Sequence, residues 1–125
     1  MTVGDIHFLL ANINRDSESI VTLEIDFLTG GVSYTSFINT EIDEETYFVS
    51  PYHELALFKQ ELEACGLLEW KRTYPNPKQG PEGKQWYVEY IMDGQLIQIN
   101  GHDHYPNNWE RFCQAVETLT KCSFR

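Results

Sequence analysis

QWYVEYIMDGQLIQIN, residues 85–100, has the pattern of a β-hairpin with a two-residue turn. Asp93-Gly94 favours a type I′ turn, because both central positions take a positive φ that aspartate and glycine tolerate. With Met92 opposite Gln95, strand alternation places one set of side chains on a common face: Trp86, Val88, Tyr90, Ile97 and Ile99. We expect this face to lie against the core.

Other strands are predicted on both sides of this hairpin. Apolar and polar residues alternate over 21–27, and residues 32–38 are rich in β-branched and aromatic side chains. Glycines 30 and 31 separate the two runs and predict a second hairpin, joined by an earlier strand over about 6–13. Residues 68–74 predict a further strand, which leads into a loop over 75–84.

Two helices are predicted, over about residues 51–65 and about 108–121. Ser50 is expected to cap the first helix and Asn107 the second, because each side chain can accept a hydrogen bond from a free backbone N–H. The predicted fold class is α+β, with residues 1–125 as a single domain. Its antiparallel sheet has five or six strands, and both helices pack on one face of it.

Charge is distributed unevenly along the 125 residues, whose formal net charge is -10. Residues 1–63 contain 12 acidic residues and two basic ones, whereas residues 64–125 contain seven of each sign. A negative field repels phosphate backbones and anionic lipid, and it attracts basic proteins. We therefore expect no nucleic-acid partner and no membrane partner. Acidity also serves solubility alone in many proteins.

The cysteine pattern indicates a reducing compartment. Cys65, Cys113 and Cys122 are odd in number and contain no Cys-x-x-Cys pair, so a disulfide framework is not expected. No apolar run approaches 18 residues, and Asp5 precedes the short N-terminal apolar stretch where a signal peptide needs positive charge. The expected location is the cytoplasm.

An acidic run lies between the second predicted hairpin and the first predicted helix. It contains Glu41, Asp43, Glu44 and Glu45, and it lacks the glycine and the regular ligand spacing of a calcium loop. We expect these residues, together with Asp26, to be the contacts for a basic protein partner.

The tripeptide His102-Asp103-His104 is the alternative candidate site. In an extended segment both histidines point the same way, and His7, His53 or a carboxylate could complete a zinc site. The competing interpretation is a polar loop between a strand and a helix. No catalytic residue is predicted, because both cysteines within the predicted helices lie on apolar stripes.

Aromatic residues and turn glycines recur from residue 62 to about residue 119. They are Trp70-x-x-x-Tyr74, Trp86, Asp93-Gly94, Gly101 and Tyr105-Pro106-x-x-Trp109-x-x-Phe112. This half of the chain resembles a domain of small uncharacterised bacterial proteins that has no established activity. The resemblance implies a bacterial intracellular origin, and its positions suggest a packing signature.

Two functions follow as hypotheses. The first is a non-catalytic cytoplasmic protein, a monomer or homodimer, that binds a basic partner as small acidic immunity proteins or adaptors do. The alternative is a small metal- or ligand-binding domain or enzyme, with a site at residues 102–104 and zinc as its cofactor.

Overall fold

Seven strands and two helices make up the computed structural model, which describes residues 2–16, 19–78 and 83–125. The strands are β1 (Ile6–Asp16), β2 (Ser19–Asp26), β3 (Gly31–Ile38), β4 (Glu41–Val49), β5 (Thr73–Tyr74), β6 (Gln85–Met92) and β7 (Gln95–His102). The helices are α1 (Tyr52–Ala64) and α2 (Trp109–Thr120), and short 3₁₀ turns span Val3–Asp5 and Leu67–Glu69.

All seven strands belong to one sheet, in the order β4-β3-β2-β1-β6-β7-β5. Neighbours run antiparallel except β5, which pairs parallel to β7. The α+β class is confirmed, but the expectation of five or six purely antiparallel strands was wrong. The sheet is mixed and has seven strands.

The unexpected strand β4 results from a tight turn at Asn39-Thr40. Both residues have positive φ, 53° and 67°, so the chain reverses within two residues and the acidic run pairs with β3. A β-branched residue such as threonine rarely takes that conformation, and acidic residues are depleted in strands. The run was therefore predicted to be a connection.

The hairpin of β6 and β7 has the predicted register. Met92 pairs with Gln95 and Val88 with Ile99, around a turn in which Asp93 and Gly94 have φ of 51° and 75°. The predicted core residues of β6 are buried, and Ile99 is 1% exposed.

Both helices pack against the same face of the sheet. Phe58 of α1 lies 6.3 Å from Phe27, just past β2, and Trp109 of α2 lies 4.6 Å from Trp86 of β6, between ring centroids. The buried apolar side chains of the sheet and both helices belong to one cluster. The opposite side of the sheet, on which no helix of the described residues packs, is called the open face below.

Both predicted helices are present, with ends within about one residue of the prediction, but neither is capped as predicted. The residue before α1 is Pro51, and the residue before α2 is Asn108, which has a φ of 68°. Neither makes a side-chain capping hydrogen bond. A left-handed Asn108 brings the chain into α2 directly, so Asn107 lies one residue too early to cap it. No helix in the described ranges is long and apolar enough to cross a membrane.

Most of the aromatic residues in the 62–119 pattern form one cluster between β6, α2 and the segment before β5. Trp70 packs edge to face on Phe112 with ring centroids 5.5 Å apart, and Tyr74 lies 5.8 Å from Trp86. Tyr105 packs on Trp109 at 5.4 Å. Aromatic pairs at these separations stabilise a core beyond the area that they bury.

Candidate partner-binding edge

Strand β4 is the outer strand of the sheet. Its inner side pairs with β3, and no strand among the described residues pairs with its outer side. Its nine residues are exposed, except for Thr46 and Phe48, which are half-buried. An edge strand keeps backbone N–H and C=O groups that are free to bind another chain.

The predicted acidic residues project from both sides of this strand. Glu45 pairs with Thr35 on the open face, whereas Glu44 pairs with Ser36 on the helix side. There Glu44 Oε1 accepts a 3.2 Å hydrogen bond from the Cys122 thiol. A register shift leaves Asp43 without a partner on β3, which is the pattern of a β-bulge. The carboxylates therefore surround the edge rather than forming one row.

These carboxylates are not neutralised by the described side chains. Among the described residues, salt bridges join Arg111 to Glu61, and Arg125 to both Glu110 and Glu117. None of them involves β4. The edge therefore presents a concentrated negative charge, which accelerates association with a basic protein.

Three large apolar side chains on β4 accompany the acids, and sequence analysis missed them as contacts. Ile42, Tyr47 and Val49 are 57%, 69% and 64% exposed. Val32 and Tyr34 of β3, by contrast, are buried on the helix side. The sequence gives no periodic signal for them, because Asp43, Glu44 and Glu45 are consecutive and residues 47–49 form a continuous apolar run. Exposed apolar residues within a polar rim are typical of protein interfaces.

Asp26 does not join this edge. Its Oδ1 accepts hydrogen bonds from the backbone N–H groups of Leu28 and Thr29, at 2.9 and 3.3 Å, and so orders the turn after β2. Glu41 pairs with Ile38, which pairs with Ser19 at the other end of β2. Seven residues of strand separate the two positions, a distance of about 23 Å.

The segment His102-Asp103-His104 contacts the residues next to β5 and β6. Asp103 exchanges backbone and side-chain contacts with Lys84: its N–H donates to the Lys84 carbonyl oxygen at 2.8 Å, and its Oδ1 accepts from the Lys84 N–H at 2.9 Å. His104 Nδ1 lies 3.0 Å from the Pro75 carbonyl oxygen. Asp103 has a φ of 51°, so the segment is not extended and the alternation behind the two-histidine prediction does not hold.

Metal-ligand geometry is absent from the described part of the chain. No group of three or more His, Cys, Asp or Glu residues lies close enough there to hold a metal ion. His7 lies on β1 and His53 in the first turn of α1. A zinc site at residues 102–104 stays a prediction.

His102 lines a shallow pocket of about 380 Å³ on the open face. Uncharged hydrogen-bonding side chains dominate its wall: Asn12, Asn14, Gln85, Tyr87 and Asn100. Three of them lie side by side on neighbouring strands, because Asn12 pairs with Tyr87 and Tyr87 pairs with Asn100. A larger groove of about 960 Å³ separates the outer surfaces of α1 and α2, above Phe58 and Leu119.

Comparison with known proteins identifies no family: no family model matches the chain, and no curated protein matches it significantly. Function is therefore inferred from the geometry of the site. Strand β4 is the surface where charge, exposed apolar area and free backbone groups coincide.

Proposed function

We propose that this protein is a non-catalytic binding protein that holds a basic protein partner on strand β4, in the manner of an acidic inhibitor or adaptor. One observation carries the proposal. An edge strand presents four carboxylates, unpaired by the described cations, beside three exposed apolar side chains.

Charge and apolar area have separate roles in this surface. The carboxylates attract a basic partner and set its orientation, and this contribution weakens as salt screens it. Tyr47, Val49 and Ile42 offer area that is buried on contact, which supplies affinity. We place this function in a bacterial cytoplasm, where small acidic immunity proteins neutralise toxins. This setting is a proposal, because it follows only from the expected resemblance of residues 62–119 to a domain of small uncharacterised bacterial proteins.

The test is affinity capture from a lysate of the source organism at low salt, with elution by a salt gradient. The test variant carries Glu41→Lys and Glu45→Lys. Its matched control carries Glu63→Lys and Glu69→Lys, which change the net charge equally at exposed positions outside β4. We expect wild type and control to retain one basic protein that the β4 variant loses. Equal retention by both variants would contradict the proposal.

The alternative function is a small ligand- or metal-binding domain centred on His102. It is favoured by the position of His102 in the wall of the open-face pocket. Replacement of His102 and His104 by alanine should then abolish zinc or nickel binding measured by calorimetry, while circular dichroism stays unchanged. Wild-type protein that binds neither metal would count against it.

A further inference from the structure

We infer that the partner is held by strand addition: an extended, cationic segment of the partner pairs with residues 44–49 of β4 as an eighth strand. This inference rests on the proposed function and specifies its binding mode.

Backbone geometry makes residues 44–49 a template for another strand. They pair in continuous antiparallel register with β3, from Glu44 opposite Ser36 to Val49 opposite Gly31. Successive residues of an antiparallel strand direct their N–H and C=O groups alternately toward either side, so half of these residues direct both groups outward. The other edge of the sheet, β5, has only two residues and offers no comparable template.

The template has defined ends. The register shift before Glu44 breaks regular pairing on one side. On the other side, Ser50 donates its N–H to the Gly30 carbonyl oxygen at 2.8 Å, and Pro51 has no backbone N–H. A strand of about six residues therefore fits, a length common in natural sheets.

Side chains along the template specify the chemistry of the added strand. Glu44 and Glu45 lie at one end on opposite faces, whereas Tyr47 and Val49 lie at the other end on the open face. Cross-strand neighbours lie close enough for ion pairs and apolar contacts. The complementary segment carries lysine or arginine beside the two glutamates and apolar residues beside Tyr47 and Val49.

A second copy of this chain does not meet these requirements. Residues 41–49 contain four acidic residues and no lysine or arginine. Two β4 edges in contact would therefore collect eight carboxylates in one interface, and like charges on paired strands are destabilising. The edge is matched to a basic chain and protected against pairing with itself.

The experiment uses the full-length protein, labelled with ¹⁵N, and the end-capped peptide Val-Thr-Val-Thr-Lys-Lys as the probe. In antiparallel register its lysines lie beside Glu44 and Glu45 and its valines beside Tyr47 and Val49. The control peptide is the same sequence N-methylated at two adjacent central residues. This blocks hydrogen bonding along both edges of the peptide and leaves its charge unchanged. Amide shifts and hydrogen exchange report binding at residues 44–49.

We expect the unmodified peptide to slow exchange of alternate β4 amides and to bind at least ten-fold more tightly than the N-methylated one. Equal binding of both peptides on β4 would overturn strand addition and leave the acidic docking surface intact. Binding that the Glu41→Lys, Glu45→Lys variant does not weaken, or no binding of either peptide, would overturn the inference. Loss of lysate capture in both the β4 variant and the control would reject the proposed function separately.

Discussion

The indole N–H of Trp86 donates a 2.9 Å hydrogen bond to the backbone carbonyl oxygen of His104. Trp86 is 2% exposed and lies at the centre of the aromatic cluster. The contact joins the start of β6 to the segment that leads into α2. The backbone of His104 therefore contributes to the packing of the second half of the chain.

Replacing Trp86 with phenylalanine should lower the free energy of unfolding by about 1 to 3 kcal/mol, because it leaves the His104 carbonyl oxygen without its donor. Urea denaturation followed by circular dichroism measures the loss. His104→Ala is the control, since it removes an exposed ring but keeps the carbonyl. We expect it to cost less than Trp86→Phe, and the reverse order would contradict this role for the hydrogen bond.

The same hydrogen bond leaves no room for a side chain at Gly101. A Cβ atom at this position would lie 2.4 Å from Trp86 Nε1 and 2.6 Å from the His104 carbonyl oxygen. Gly101→Ala should therefore destabilise the fold by about 3 kcal/mol through overpacking. Gly94→Asn is the control, because Gly94 has a φ of 75° with open space around it, and asparagine tolerates that conformation. Equal midpoints of urea denaturation for both variants would argue against the steric explanation.

The two helices are joined by an ion pair that titrates in acid. The Arg111 guanidinium donates from Nε to Glu61 Oε2 at 2.6 Å, and this hydrogen bond holds the pKa of Glu61 below its usual value. Its stabilisation is therefore present above the ordinary glutamate pKa and is lost as pH falls through the lowered one. In Arg111→Gln, NMR titration of the Glu61 carboxyl group should give a higher pKa than in wild type. An unchanged value would mean that the pair does not persist in solution.

The three thiols should differ in reactivity. Burial raises the pKa of Cys65 to about 11 and that of Cys113 to about 12, whereas Cys122 is partly exposed. Because the thiolate is the nucleophile, Ellman's reagent at pH 8 should modify Cys122 first and the other two only after denaturation. Cys122→Ser provides the control, and rapid reaction of that variant in the folded state would contradict the assignment.

The acidic edge should also keep copies of the protein apart. Neutralising it with Glu41→Gln, Asp43→Asn and Glu45→Gln leaves the backbone edge and its exposed apolar side chains in place. We expect the variant to self-associate more strongly than wild type in sedimentation equilibrium at neutral pH. Self-association that is unchanged by this substitution would show that the carboxylates do not protect the edge.

Sequence patterns predicted those strands and turns whose residue preferences match the conformation that the folded sheet imposes. The hairpin at Asp93-Gly94 was predicted with its register, because its turn residues and its alternation specify the same pairing. The turn at Asn39-Thr40 was missed, because threonine at a positive φ is held by the strand pairing around it. The strand predicted over 68–74 is much shorter in the structure, where Leu67–Glu69 form a 3₁₀ turn and only Thr73–Tyr74 pair as β5.

The candidate site was predicted in part for a similar reason. Charge counts indicated the acidic run, but only the sheet order shows that Glu41 and Glu45 lie on a free edge while Asp26 orders a turn. Tyr47 and Val49 are exposed because β4 is the outer strand of the sheet. In the sequence they belong to the apolar run Tyr47-Phe48-Val49, which does not tell which of its side chains is exposed.

The position of β1 between β2 and β6 also determines the order in which the sheet is assembled. Strands β1 to β4 follow one another along the chain and pair through short connections. The ladder between β1 and β6 joins residues about 70 to 85 positions apart, and closing a loop of that length costs the most chain entropy. We therefore expect the first four strands to form an early unit and the β1–β6 ladder to limit the folding rate. Substitutions at Ala11 or Val88, which face each other in that ladder, should slow refolding more than substitutions on β4.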